Sequence, residues 1–273
     1  PVPQPWDSSL SYNFSSTSCL SFFTAQLANI TFRQCRSFGL LLGYSEDFFN
    51  IETNLTLLTA TLYGTCNTVP SPEECVQVEN WMSANMDDPA VCAKDKDNEN
   101  SIVLEAKGGF DQYLMMREVG CLVNNQTNAY CFAEAVANSS PSDAYYYNIP
   151  LGLPLPPTTV PSCNTCTREV MKIYARYAEN SMYDVSKTYS SAANFSNTKC
   201  GRGYVPQVDT PLMTHKSGTN RRANGTGGYG SPFSSHFMCS REARYCRSSH
   251  KTAAGICAFM SLYLFPLPFP LRQ

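Results

Sequence analysis

Apolar residues recur along this chain at spacings of three and four, and no stretch alternates with period two for long. Cys19, Phe22, Phe23, Leu27 and Ile30 share one helical face. A second apolar run extends from Phe38 to Phe49, after a polar break at 33–36, and a third from Leu55 to Tyr63, closed by Gly64 and Cys66. Ser71-Pro72-Glu73-Glu74 predicts a helix start. Ser71 can cap the free amides, Pro72 suits the first helical position, and Glu74 completes a capping box. That helix is expected to reach about Met86. The charged stretch 87–100 predicts a loop pinned by Cys92. Val103, Ala106, Phe110, Tyr113, Leu114 and Cys121 then fall on one face, with Gly108-Gly109 as an expected soft point.

After a turn at Asn124-Asn125-Gln126 and a short apolar segment at 130–137 comes the densest aromatic cluster, Tyr145-Tyr146-Tyr147, just after Asp143. The prolines Pro150, Pro154, Pro156, Pro157 and Pro161 predict that the connector behind it is extended, because proline cannot donate to a helix ladder. Val170, Ile173, Tyr174, Tyr177 and Ala178 make the cleanest amphipathic stripe. A last helix, about 185–198, is expected to stop at Cys200-Gly201. These elements predict a single all-α, disulfide-stapled domain over 16–205, preceded by an extended arm at 1–15. A disordered tail is expected over 206–273.

Charge sharpens the division. The net formal charge of −2 conceals 11 Lys/Arg against 20 Asp/Glu in residues 1–200, and 9 against 2 in residues 201–273. An acidic body lacks the basic face that phosphate neutralisation requires, so nucleic acid is excluded as a partner. The tail turns apolar from Ala253 to Leu271, but Pro266, Pro268 and Pro270 break that run. Its readings are a C-terminal lipid-anchor signal, which would be the only route to a membrane, or a gene-model error.

Ten cysteines lie in the body: Cys19, Cys35, Cys66, Cys75, Cys92, Cys121, Cys131, Cys163, Cys166 and Cys200. An even number with no second Cys-x-x-Cys to complete a zinc site reads as a disulfide framework made in an oxidising compartment. Ten cysteines allow about 945 pairings, so the connectivity is not legible. Sequons at Asn13, Asn29, Asn54, Asn125, Asn138 and Asn194 agree with an extracellular, N-glycosylated protein. Pro1 carries no initiator methionine or apolar leader, so a secretory signal, if there was one, is expected to have been removed ahead of it.

The candidate chemistry is narrow. No histidine occurs between Pro1 and Val205, which removes Ser–His and Cys–His dyads and histidine-based metal sites from the body. No cofactor or metal is expected. A pair of carboxylates drawn from Asp143, Glu134, Asp111 and Glu118 would suffice for a histidine-free acid hydrolase of glycans, although no spacing singles out a pair. Cys163-x-x-Cys166 reads either as a redox pair at a helix start or as two structural half-cystines facing different loops. Asp143 and Tyr145, Tyr146 and Tyr147 read either as a ligand-stacking surface or as buried rings pinning the connector.

Several motifs carry a resemblance. They are Cys19-x-x-Phe22-Phe23, Cys35 followed by Phe38-x-Leu40-Leu41-x-x-x-Ser45-x-x-Phe48-Phe49, Cys121-Leu122, Tyr130-Cys131, Pro141-Ser142-Asp143-x-Tyr145-x-Tyr147-x-x-Pro150-Leu151-Gly152, Pro161-Ser162-Cys163-x-x-Cys166, Tyr189-x-x-Ala192-Ala193 and Cys200-Gly201-x-x-Tyr204-Val205. With them the body resembles a fungal family of secreted, cysteine-rich domains whose function is not known. The resemblance implies a secreted or cell-surface fungal protein, commonly with a Ser-rich, lipid-anchored end; here a basic tail stands in its place. The expected role is non-enzymatic: an interaction or wall-associated protein whose partner is a cell-wall glycan or an extracellular protein. The alternatives are the acid hydrolase and a purely structural wall component.

Overall fold

The structure is a computed structural model describing residues 2–8, 10–11, 13–138 and 142–208. Expectations for the tail beyond residue 208, including the apolar run and the anchor signal, lie outside the described residues. In chain order the helices are α1 (Thr17–Ala28), α2 (Ile30–Cys35), α3 (Phe38–Tyr44), α4 (Glu46–Ile51), α5 (Leu55–Cys66) and α6 (Pro72–Asp87). They continue with α7 (Ala93–Asp97), α8 (Ser101–Asp111), α9 (Tyr113–Gly120), α10 (Cys131–Ala137), a 3-10 helix (Asp143–Leu151), α11 (Thr165–Ala178) and α12 (Val185–Cys200). Among the described residues there is no strand, only an isolated antiparallel bridge between Val123 and Tyr130. The all-α class read from the pattern is therefore the observed one.

Most of these helices are short, and side-chain caps hold their ends. Ser16, Asn29, Ser45, Asn54, Ser71, Asn100 and Asn164 each accept a hydrogen bond from a first-turn amide of α1, α2, α4, α5, α6, α8 and α11. Such a bond satisfies a donor the helix cannot. At α6 the capping box is complete in both directions, with Ser71 receiving Glu74 N at 3.2 Å and Glu74 receiving Ser71 N at 2.7 Å.

Two apolar clusters meet at α3. One gathers α1, α2, α6 and α8 around Phe23, Phe32, Met82, Met86 and Phe110; the other gathers α4, α5, α9, α10, α11 and α12 around Phe48, Leu62, Met116, Phe132 and Tyr174. Helix α3 sends Leu40 into the first and Phe38, Leu41 and Leu42 into the second, so it is buried around its circumference, as a helix with no polar face must be. Non-helical residues at the N-terminus dock on the first cluster. Trp6 stacks on Tyr44 with ring centroids 5.7 Å apart, Asp7 accepts from Ser45 Oγ and Glu46 N, and the buried Asp95 receives the amides of Ser15 and Ser16.

The ten body cysteines form five disulfides: Cys19–Cys92, Cys35–Cys75, Cys66–Cys121, Cys131–Cys166 and Cys163–Cys200. Three link residues up to Cys121 and two link residues from Cys131 onward, so no bridge joins the two sets. In the chain-entropy model each loop of this size contributes about 4 kcal/mol by restricting the unfolded chain.

Three expectations need correction. The stretch 87–100 is not all loop, since α7 forms directly after Cys92. Gly108-Gly109 is no soft point: α8 runs through both glycines to Asp111. A methyl group on Gly109 would strike the Leu40 side chain, so this glycine lets α8 approach α3. Pro150, expected within the extended connector, is not extended either: it and the tyrosine block before it are helical. They form the 3-10 helix, which Pro150 tolerates near its end, and the non-helical connector begins at Gly152, whose φ is 78°.

Candidate functional site

The 3-10 helix decides where the predicted tyrosines go. With three residues per turn, Tyr146 aligns with Ile149 and Tyr147 with Pro150, and all four are buried. Tyr146 exchanges a hydrogen bond with Ser196 Oγ of α12 at 2.9 Å; the Tyr147 hydroxyl has no partner. Burial pushes both phenols above the ordinary tyrosine range, and for Tyr147 the nearby Asp143 and Glu134 add to it. Tyr145 is only half-buried. A stacking surface built on Tyr146 and Tyr147 is therefore not available to a ligand, because both rings lie in the core.

Asp143 is the anchor of the connector. Its buried carboxylate accepts Ser162 N at 3.0 Å, Ser162 Oγ, Asn164 Nδ2 at 3.3 Å and Asn138 Nδ2 at 3.4 Å. Ser142 Oγ receives Val160 N at 3.1 Å. The chain thus returns from the 3-10 helix to the start of α11, where Asn164 caps the helix and Cys163, at φ 56°, turns away from it. Cys163 lies before α11 and Cys166 within it, so the two do not share a helix face. They still reach different partners, Cys200 and Cys131, and both are oxidised.

Every other candidate acid is also held. Glu134 accepts Asn124 Nδ2 at 2.8 Å and Thr127 Oγ1. Asp111 accepts Ser83 Oγ and lies 3.4 Å from Lys107 Nζ. Glu118 accepts Tyr177 OH at 2.8 Å and pairs with Arg176. Among the described residues no three His, Cys, Asp or Glu side chains gather as a metal site would require, and no helix is long and apolar enough to cross a membrane.

The segment that follows α12 brings a different site together, one the sequence reading missed. Beyond α12 the chain reverses at Gly201 and Gly203, with φ of 102° and 81°, and folds back along the helix. Asn197 fixes the returning strand of chain from both sides, receiving Val205 N at 2.9 Å and donating to Val205 O at 3.0 Å. Tyr189 donates to Pro206 O at 2.8 Å, and Tyr204 to Asn164 O at 2.6 Å. Burial raises the Tyr204 phenol above its ordinary range, so it stays a donor. Between α11, α12 and this returning segment lies an open cleft of about 670 Å³. Arg168, Lys172 and Arg202 supply its charge, while Tyr204, Val205 and Pro206 supply its apolar wall. Glu169 reaches Lys172 Nζ at 2.8 Å and Arg168 Nε at 3.5 Å, holding both side chains beside the opening while leaving them about half exposed.

The cleft is lined from the part of the described chain where basic residues outnumber acidic ones. Residues 165–202 carry six Lys/Arg against three acids (Glu169, Glu179 and Asp184), whereas residues 1–164 carry six against seventeen. The clustering was present in the composition. What the sequence did not show is that the cations of α11 and the loop after α12 face one opening.

Five disulfides on the thirteen helical segments found among the described residues define a stapled, all-α, cysteine-rich domain. The chain belongs to the family DUF7729, a domain of unknown function, whose model matches residues 1–209. No curated protein and no solved structure matches it.

Proposed function

We propose that this protein is a secreted or cell-surface glycoprotein, of the fungal kind its motifs resemble, that works by binding rather than by catalysis. In this reading its cleft takes an anionic chain of the extracellular matrix or cell wall, namely a glycan bearing phosphate or carboxylate groups. The observation that carries the reading is the cleft with Arg168, Lys172 and Arg202 around its opening. A cleft of about 670 Å³ is the size of a small-ligand site. Its Tyr204 and Pro206 wall offers an apolar surface to sugar rings beside three cations. The five disulfides support an oxidising compartment, since cytosolic thiols are kept reduced.

The secreted protein should be tested on neutral, phosphorylated and uronate-bearing oligosaccharides. Binding is expected on the charged chains alone, weakening as salt rises. Arg168→Ala and Arg202→Ala should each weaken it about tenfold, the equivalent of about 1.4 kcal/mol for a charge-assisted contact. Equal binding to neutral chains, or affinity unchanged in both variants, would remove the cleft from the reading. A purely structural wall role predicts no saturable ligand at all.

A further inference from the structure

The outward face of α5 is uncharged along its whole length, and one of the chain's own sequons stands at its head. Leu55, Thr56, Thr59, Ala60 and Tyr63 line a shallow surface groove of about 620 Å³. Leu55 is 45% exposed and Tyr63 62% exposed, while Leu58 and Leu62 are buried on the opposite side. Asn54 is exposed and caps the helix: its Oδ1 receives Leu57 N at 3.2 Å, which leaves Nδ2 free. Asn138 is the contrasting case, because its Nδ2 points at the buried Asp143 carboxylate. The groove begins at the residue after Asn54 and ends at Tyr63, about 13 Å away along the helix at 1.5 Å per residue.

We propose that Asn54 carries an N-linked glycan whose first sugars lie along this groove and cover the apolar face of α5. The inference rests on the extracellular reading above. In the attachment step Nδ2 forms a bond to the anomeric carbon of an N-acetylglucosamine. The donor is a polyprenyl-diphosphate oligosaccharide; its diphosphate departs and the amide gives up one proton. The cap survives, because only Oδ1 accepts from the helix. Acetamido and ring C–H faces then cover Leu55 and Tyr63, and the hydroxyls of Thr56 and Thr59 supply polar partners between them.

The test compares wild type, Thr56→Ala and Thr56→Ser, each secreted from a eukaryotic host. Thr56→Ala destroys the sequon but keeps the Asn54 cap; Thr56→Ser keeps both. Glycopeptide mass spectrometry should find Asn54 occupied in wild type and in Thr56→Ser. Thr56→Ala should bind an apolar dye several-fold more strongly than either. If Asn54 is bare while Asn29 and Asn125 carry glycans, the inference falls and the extracellular reading stands. If every sequon is bare, the extracellular reading falls as well. Occupancy at Asn54 with dye binding unchanged in Thr56→Ala would overturn the covering role.

Discussion

Glu79 is fully buried on α6, and neither of its carboxyl oxygens has a hydrogen-bond partner. It lies one turn beyond the Cys35–Cys75 bridge and acts on the Tyr113 phenol, which burial above all raises to about 12. Desolvation lifts its pKa well above the ordinary carboxylate range, because burial disfavours the charged form. The unfolded chain releases that proton at the ordinary value, near 4.3. A group whose folded pKa is raised adds stability that is complete below the unfolded value and is lost as pH climbs through the folded one. Glu79→Gln keeps the shape without the proton equilibrium. It should match wild type at pH 4 and exceed it at pH 8 in denaturant midpoint; parallel curves would show that Glu79 is solvated or paired. Glu105, also raised by burial, leaves a slope of the same sign in both proteins. In the sequence, Glu79 stands four residues after Cys75 and three before Met82, squarely on the apolar stripe. A carboxylate's chemistry argues for solvent, but the helical period carries Glu79 into the core.

Among the elements, α3 shows why some packing was hidden from pattern reading. Its apolar run announced a buried helix, but what faces it is set by glycines that carry no hydrophobic signal. Gly109 of α8 accommodates Leu40, and a methyl on Gly120 of α9 would come within 2.6 Å of the Phe38 ring. Gly108, next to the first, would place a methyl at 3.5 Å from Asp184 Oδ2, an ordinary contact. The two neighbours therefore predict opposite signs. Gly109→Ala should destabilise by about 1–3 kcal/mol through overpacking. Gly108→Ala should stabilise by up to about 1 kcal/mol through helix propensity. Thermal unfolding of the pair checks this, and equal shifts would mean that α8 does not press on α3. Where local chemistry was explicit, as in the Ser71-Pro72-Glu74 start of α6, the sequence reading located the element to within a residue or two. The connector was expected to be extended from Pro150 onward, and its first residues failed that reading because proline excludes an α-helix interior but not the end of a 3-10 turn.

At the scale of the whole molecule, the covalent framework and the charge divide the chain in the same direction. Residues up to Cys121 carry three bridges and most of the acid; residues from Cys131 carry two bridges and the basic cleft. The count of cysteines was legible, but their partners were not, since pairing depends on which helix ends meet in space. Cys163–Cys200 joins the entry of α11 to the end of α12, immediately before the loop that closes the cleft. Cys19–Cys92 closes a longer loop, 73 residues against 37, far along the chain from that site. Loop entropy grows only with the logarithm of length, so replacing either pair by serines should cost stability within about 1 kcal/mol of the other. Their effects on binding should separate. The Cys163→Ser/Cys200→Ser variant frees the end of α12 and with it Arg202, and should lose most affinity for the charged oligosaccharide under conditions where it is still folded. The Cys19→Ser/Cys92→Ser variant should retain it. Matched thermal and binding measurements on both variants decide the point: if affinity falls equally in the two, the cleft depends on global stability and not on the local staple.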